Sequence, residues 1–372
     1  MNLKKENKTP SVIQPTDEKC QEIIEQSFLK DIFTDDLTDI QYNGYEFYGQ
    51  DNQLGRFKLD LNISNEDVFS ILKQLANYAL KPFSVKNPIL NISFKNYRLS
   101  AIHPILARKN NEKVATFSLR KISATLKITN NNVEICPKPI HALLEVLIKG
   151  YQSIVISGLT GSGKTELQKY LVSKMNEEDR IIMIEDNYET YLKEIYPSLD
   201  ITTWIADETN ISLSELVKTS LRHNPDWIMI AETRGKEAFE LVESISSGHP
   251  MITTIHSDSS LLSLERILKM FQKELDFNEE KMLSEMATHI RIGIHIEKQV
   301  INQKIIRKIT EVTEYIPTKH GYDTKYLFHY DTNGQPIYHS ISVSLFDALK
   351  KHHLHFDMIE TFIPKERENE KK

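Results

Sequence analysis

The chain has 372 residues, long enough to predict two domains, and a formal net charge of −6. That charge excludes a chain-wide electrostatic footprint for nucleic acid, and with no local basic patch legible, no direct nucleic-acid binding is expected. Its two cysteines, Cys20 and Cys136, stand too far apart in sequence to read as a disulfide framework or a zinc site.

A reducing, cytoplasmic compartment follows as the expectation. The first ten residues carry positive charge with no apolar stretch after them, so no signal peptide is expected. No apolar run approaches the ~20 residues of a membrane span, so any membrane association is expected to go through partners.

Residues 1–15 are polar and read as a flexible N-terminus, and residues 363–372 as a charged tail. Residues 16–125 read as a small α+β domain. It opens with helical text around Ile23, Ile24, Phe28 and Leu29, followed by strand-like stretches at 40–48 and 55–61. Ser64 is placed to cap a helix on which Val68, Ile71, Leu72, Leu75 and Ala79 recur at helical spacing. Three strand-like runs follow at 89–94, 97–103 and 115–122. The tyrosines between 40 and 48 read as sheet surface, since no lysine or arginine cluster accompanies them.

Residues 126–139, rich in Asn and Pro, read as a linker, and residues 140–362 as the second domain. Its first helix carries Ile140, Leu143, Leu144 and Leu147 on one face, with Gly150 at the place of a left-handed cap. Beyond it, apolar strand-like runs at 153–157, 181–185, 227–231, 251–256 and 291–296 alternate with helical text. That order predicts a mainly parallel sheet covered on both faces.

The first of these strands runs directly into Gly158-Leu159-Thr160-Gly161-Ser162-Gly163-Lys164-Thr165, a match to the phosphate-cradling pattern at every fixed position. A strand, a glycine loop and a helix let backbone N–H groups and the helix N-terminus surround a phosphate. The expected ligands are ATP and Mg2+, with Lys164 on the β/γ-phosphates and Thr165 on the metal. Two further strands end in acids, Glu185 and Glu232. In an open α/β sheet, ligands bind outside the carboxyl ends of strands, so both acids are expected to face the Lys164 site. One would hold Mg2+ through water while the other orients or deprotonates the attacking water, with Glu232 taken as the metal-side acid. A further strand ends at His256.

The ordered set is specific. The loop, "IED..E" at 184–189, "LR..PD…E.RG" at 221–235, "SGH…TTIHS" at 247–257 and "R.ITEV" at 307–312 together resemble the secretion-system traffic ATPases, nearest the short type IV secretion and conjugation branch. In that family the three middle segments are the Asp box, the Walker B box and the His box. The resemblance implies a RecA-like P-loop NTPase domain behind the small α+β domain, and a homo-hexameric motor. It also implies a cytoplasmic protein docked to the membrane proteins of a secretion, conjugation or pilus machine. It further assigns catalytic arginines to Arg98 and Arg120, and a catalytic part to His256. The paired cysteines of the zinc-bearing type II branch are absent, so no zinc is expected. Ala231, Asn224 and Pro250-Met251 depart from the family's usual residues without touching the phosphate-binding or metal-binding groups. A nucleotide-dependent scaffold, a DNA translocase and a small-molecule kinase are the competing readings. Lys164, Thr165 and the two acids weigh against the first, the missing basic patch against the second, and the lack of an acceptor-binding lid against the third.

Overall fold

The computed structural model describes residues 15–30, 32, 37–206, 211–235, 237–246, 248–272, 277–302 and 304–370. Residues 1–14 of the expected flexible start (1–15), Ser247 of the fourth motif and the last two residues of the charged tail lie outside the described residues. The chain divides into two compact units. One takes residues 1–123 with 302–305, and the other 124–301 with 306–372.

The first unit contains α1 (Pro15–Gln26), β1 (Leu37–Tyr42), β2 (Phe47–Asp51), β3 (Gly55–Leu59), α2 (Asn65–Tyr78), β4 (Ile89–Phe94), β5 (Tyr97–Ile102), the two-residue ladder of β6 (Arg108–Lys109) and β7 (Glu112–Lys113), and β8 (Thr116–Lys121). Its main sheet runs β3-β2-β1-β8-β5-β4, and every pair in it is antiparallel. Strict alternation along β4 buries Leu90, Ile92 and Phe94 and leaves Ile89, Asn91 and Ser93 outside, as a half-buried antiparallel strand requires. The inner face packs on α2 through Val68, Leu72 and Leu75, each of which stabilises the unit by roughly 1.5–3 kcal/mol. Ser64 caps α2 by accepting the Asp67 N–H, the local bond its sequence position calls for. On the outer face the register sets Arg98 directly opposite Arg120, and Arg120 opposite Asp39.

The second unit contains α3 (Lys138–Lys149), β9 (Ser153–Ser157), α4 (Lys164–Val172), β10 (Arg180–Glu185), α5 (Leu192–Ile195), β11 (Asp200–Ile205), α6 (Leu213–Ser220), β12 (Trp227–Ile230), α7 (Glu237–Ser246), β13 (Met251–Ile255), α8 (Ser263–Phe271), α9 (Glu279–His289), β14 (Ile290–Ile301), β15 (Lys304–Thr318, in this unit from Ile306 on), β16 (Gly321–Tyr330), β17 (Pro336–Tyr338) and α10 (Val343–Lys350). The sheet order is β11-β10-β12-β13-β9-β14-β15-β16-β17. It is parallel from β11 to β14 and antiparallel from β15 to β17. Successive residues of β9 enter opposite cores. Ile154 and Ile156 pack with α3, α4 and α10, and Val155 packs with the layer of α6 to α9. Both faces are therefore covered, as the alternation of apolar strands with amphipathic helices requires of a mainly parallel α/β sheet, and the unit has the α/β architecture expected of a RecA-like domain. Because the central strands are parallel and in register, with Ile184 beside Ile230, Ile230 beside Thr253 and Ile255 beside Ser157, their carboxyl ends line one edge.

Three features differ from the sequence reading. Gly150 is not left-handed: its φ is −89°, and Tyr151 takes the left-handed conformation at 52°. A Cβ at 150 would lie 2.2 Å from Leu349 Cδ2, so that side chain would have to shift to admit any other residue. Strand β11 had no apolar signature, since it is the sheet's edge strand and its Thr202 and Thr203 are not buried. The Asn/Pro-rich stretch before α3 places Ile128 and Cys136 in the second unit's core, so it is packed text and not open chain.

Candidate active site

Strand β9 delivers the chain to the glycine loop from between β13 and β14. Gly158 is required by space as well as by its φ of 155°, because a side chain there would meet the Ile296 carbonyl oxygen at 2.3 Å. Gly163, with φ 103°, is the N-cap of α4 and offers no capping side chain. The first N–H groups of α4 are thus left for an anion to accept, at the positive end of the helix dipole. Ser162 Oγ is buried with no hydrogen-bond partner. Lys164 is 8% exposed, and its Nζ donates to the carbonyls of Gly158 at 2.8 Å and Leu159 at 3.2 Å. Burial holds its pKa below the ordinary lysine value, with Glu232 opposing and Arg234 reinforcing that shift. Thr165 follows as the second, half-buried residue of α4.

The second half of the site is the turn after β12. The Ala231 N–H donates to Ile184 O and the Thr233 N–H to Thr254 O, both at 2.9 Å. Thr254 Oγ1 donates back to Ala231 O at 2.7 Å. These bonds fix the backbone on both sides of Glu232. Its Oε1 lies 2.9 Å from His256 Nε2, and its Oε2 accepts from Arg234 at 2.6 Å. Arg234 also stands 3.6 Å from Asp186 Oδ2. Burial pushes the Glu232 carboxyl up, but the Arg234 hydrogen bond and the charges of Arg234, His256 and Lys164 outweigh it. The group is held below the usual carboxylate value and stays ionised.

Glu185 has the opposite setting. It is 1% exposed, its Oε1 accepts the N–H groups of Thr190 at 2.9 Å and Glu189 at 3.3 Å, and its Oε2 has no hydrogen-bond partner. Burial raises its pKa from 4.5 to about 7, against the lowering effect of those hydrogen bonds. Across that window the folded chain keeps a proton that the unfolded chain releases, so stability falls as pH rises from 4.5 to about 7. Glu185→Gln should remove this dependence, which is worth on the order of 1–3 kcal/mol. Urea midpoints at pH 5 and pH 8 check it, and an unchanged pH dependence in the variant would place the effect elsewhere.

Of the residues singled out in the sequence, the fold brings Lys164, Thr165, Glu232 and His256 to one edge of one sheet. Glu185 ends its strand at that edge, yet its carboxyl turns inward to hold the 186–190 loop. Arg98 and Arg120 belong to the other unit, where Arg120 Nε pairs with Asp39 at 2.7 Å. Two participants escaped the sequence reading although both stand inside the quoted motifs. Arg234 grips Glu232, and Arg307 Nε donates to the Gly161 carbonyl at 3.0 Å. A third, Gln168, reaches from α4 to Ile230 O at 2.8 Å and carries no motif signal beyond being polar on a buried face.

A family model described as Type II/IV secretion system protein matches residues 91–340. The chain belongs to that family. Among its relatives is an uncharacterized protein of Bacillus anthracis, 29% identical over 292 residues, which cover 75% of this chain and 65% of the relative. The match thus spans just under two thirds of that relative's length. The type IV secretion system protein VirB11 of Bartonella quintana is 28% identical over 240 residues, covering 55% of this chain and 67% of VirB11. Two solved structures share the fold. The Yersinia pseudotuberculosis ATPase DotB has a TM-score of 0.59 at 16% identity, over 84% of this chain and 83% of its own. The pilus retraction motor PilT with bound ADP has a TM-score of 0.54 at 18% identity, over 79% and 82%.

Proposed function

We propose that this family member hydrolyses ATP as a homo-hexameric motor that powers assembly or substrate transfer in a type IV secretion, conjugation or pilus-type membrane machine. The observation that carries the reading is local. A glycine loop with a buried lysine opens a helix at the sheet edge where an ionised glutamate, Glu232, is held beside His256. The names of the similar proteins, a type IV secretion component, an ATPase and a pilus motor with bound ADP, support the class. Among the described residues no helix is long and apolar enough to cross a membrane. That fits the reading of a cytoplasmic protein attached peripherally to the membrane through partner proteins.

The site fits a magnesium nucleotide. The unpartnered Ser162 hydroxyl, the uncapped N-terminus of α4 and the Lys164 ammonium all present donors to phosphate oxygens. Among the described residues no cluster of three or more His, Cys, Asp or Glu side chains forms a cage for a metal. Mg2+ would instead be held in its usual sparse way, here by Thr165 and by Glu232 through water, together with the substrate's phosphates. When bound, it would neutralise charge on the β- and γ-phosphates. Glu232, ionised and only partly buried, is suited to orient the attacking water. Glu185, expected from the sequence to share the catalytic work, is buried and bonded to the backbone at 189–190, so its part is to hold the loop beside the site. His256 keeps Glu232 aimed.

Arg98 and Arg120 are proposed to stabilise charge on the transferred phosphoryl group. The register sets the two side by side on one face of the sheet, with Arg120 held by Asp39, so two planar guanidinium groups share one face. Replacing both with alanine should lower kcat by roughly tenfold to thousandfold with ATP affinity much less affected. Parental turnover by the double variant would remove them from the site. For the function as a whole, purified protein should release phosphate from ATP in the presence of Mg2+. No release above the uncatalysed background, even from the assembled ring, would refute the reading.

A further inference from the structure

Strand β15 meets both halves of the site with side chains four residues apart. At Arg307, Nε donates to the Gly161 carbonyl at 3.0 Å, and the Cδ lies 3.2 Å from where a Cβ on Gly163 would stand, so its stem packs against the loop's back. At Glu311, Oε2 accepts three hydrogen bonds from one turn: Ser259 Oγ at 2.8 Å, the Ser260 N–H at 2.8 Å and Ser260 Oγ at 2.7 Å. The same strand holds Ser260 twice more, through Thr313 Oγ1 at 2.7 Å and through the Tyr315 hydroxyl, which donates to the Ser260 carbonyl. Ser259 and Ser260 close the turn that starts at His256, whose own carbonyl accepts from Arg266 Nε at 3.2 Å. The glycine loop and the His256 turn thus rest on one strand that comes from neither of them.

We propose that β15 is the support that positions both loops. Arg307 sets the shape of the glycine loop, and with it nucleotide affinity. Glu311 sets the His256 turn, and with it the aim of Glu232 and the hydrolysis rate. Both are positioning residues: neither is argued to touch the substrate. The inference rests on the nucleotide reading given above, and it adds a division of labour that the reading does not contain. A guanidinium bonded to a backbone carbonyl selects one conformation of a glycine-rich loop that otherwise has many, so removing it makes nucleotide binding bear the ordering cost. A carboxylate accepting three donors from one turn does the same for His256. Small displacements of a residue that aims another are expressed in rate more than in affinity.

The test uses the full chain and four single substitutions, Arg307→Ala, Arg307→Lys, Glu311→Ala and Glu311→Gln. Three quantities are read: the Kd of a fluorescent ADP analogue, single-turnover phosphate release from ATP, and the thermal midpoint without nucleotide. Arg307→Ala should weaken the ADP analogue about tenfold, the worth of one charge-assisted hydrogen bond, and Arg307→Lys should regain much of it. Glu311→Ala should leave that Kd within about twofold and slow hydrolysis about tenfold to a hundredfold, while Glu311→Gln, whose amide oxygen accepts the same bonds, should recover most of the rate. The proposal is overturned if Arg307→Ala and Arg307→Lys both bind the analogue like the parent, or if Glu311→Ala hydrolyses at the parental rate. It is equally overturned if the alanine variants lose affinity and rate together in proportion to a lowered thermal midpoint, since that marks general support of the fold. If the parental chain neither binds the analogue nor releases phosphate, the nucleotide reading itself falls, and this inference with it.

Discussion

Lys164→Ala should abolish phosphate release from ATP. The ammonium is the cation that the sequence fixes at the mouth of α4 by its spacing to the glycines, and it is buried there. Its loss removes the charge that cradles the transferring phosphoryl group, and at least about a thousandfold in rate is expected to go with it. The substitution also leaves the Gly158 and Leu159 carbonyls without the donor they now share, at about 1–3 kcal/mol if water does not replace it. Phosphate release and the thermal midpoint are therefore to be measured on the same preparation. A variant that remains folded and turns over ATP normally would take Lys164 out of the reaction.

Glu232→Gln should give a different defect: ATP stays bound and is almost not hydrolysed. The amide keeps the shape of the carboxyl and its reach to Arg234, so the turn after β12, held by Ile184 O and Thr254 O, has no reason to move. What disappears is the negative charge that Arg234, His256 and Lys164 together keep ionised. Without it the attacking water loses its acceptor, and the rate is expected to drop by about a hundredfold or more while nucleotide affinity holds. Retention of a labelled ATP on the folded variant, with no labelled phosphate appearing, is the signature sought. Loss of ATP binding in step with hydrolysis would instead make Glu232 chiefly a ligand-holding residue.

What could be read from the sequence depended on how local each constraint is. The glycine loop was legible because three glycines and a lysine within eight residues answer to one backbone shape. Strands β9, β10, β12 and β13 were legible because a strand buried on both faces is a continuous apolar run. Strand β11 was not, since an edge strand with exposed Thr202 resembles loop text. Gly150 was half legible: it is the C-cap that its position after a helix suggested, but it is not left-handed, and what a Cβ would meet there is Leu349, in a helix near the other end of the chain. The same holds for the site's supports. Nothing near Gly161 announces Arg307, and nothing near Ser260 announces Glu311. That Arg98 faces Arg120 depends on the register of β5 against β8, which strand patterns alone do not fix.

The bonds Lys164 makes to the loop backbone bear on turnover as well as on the shape of the loop. Its ammonium is already satisfied by the Gly158 and Leu159 carbonyls, so an arriving phosphate is an exchange of partners and not the desolvation of a bare cation. The reverse exchange applies when the product leaves. On the proposed nucleotide reading, a lysine that passes from carbonyl to phosphate and back never spends time buried and uncompensated, which flattens the free-energy profile of binding and release. Affinity would thereby be tempered and release quickened, a combination that suits the proposed cycling motor.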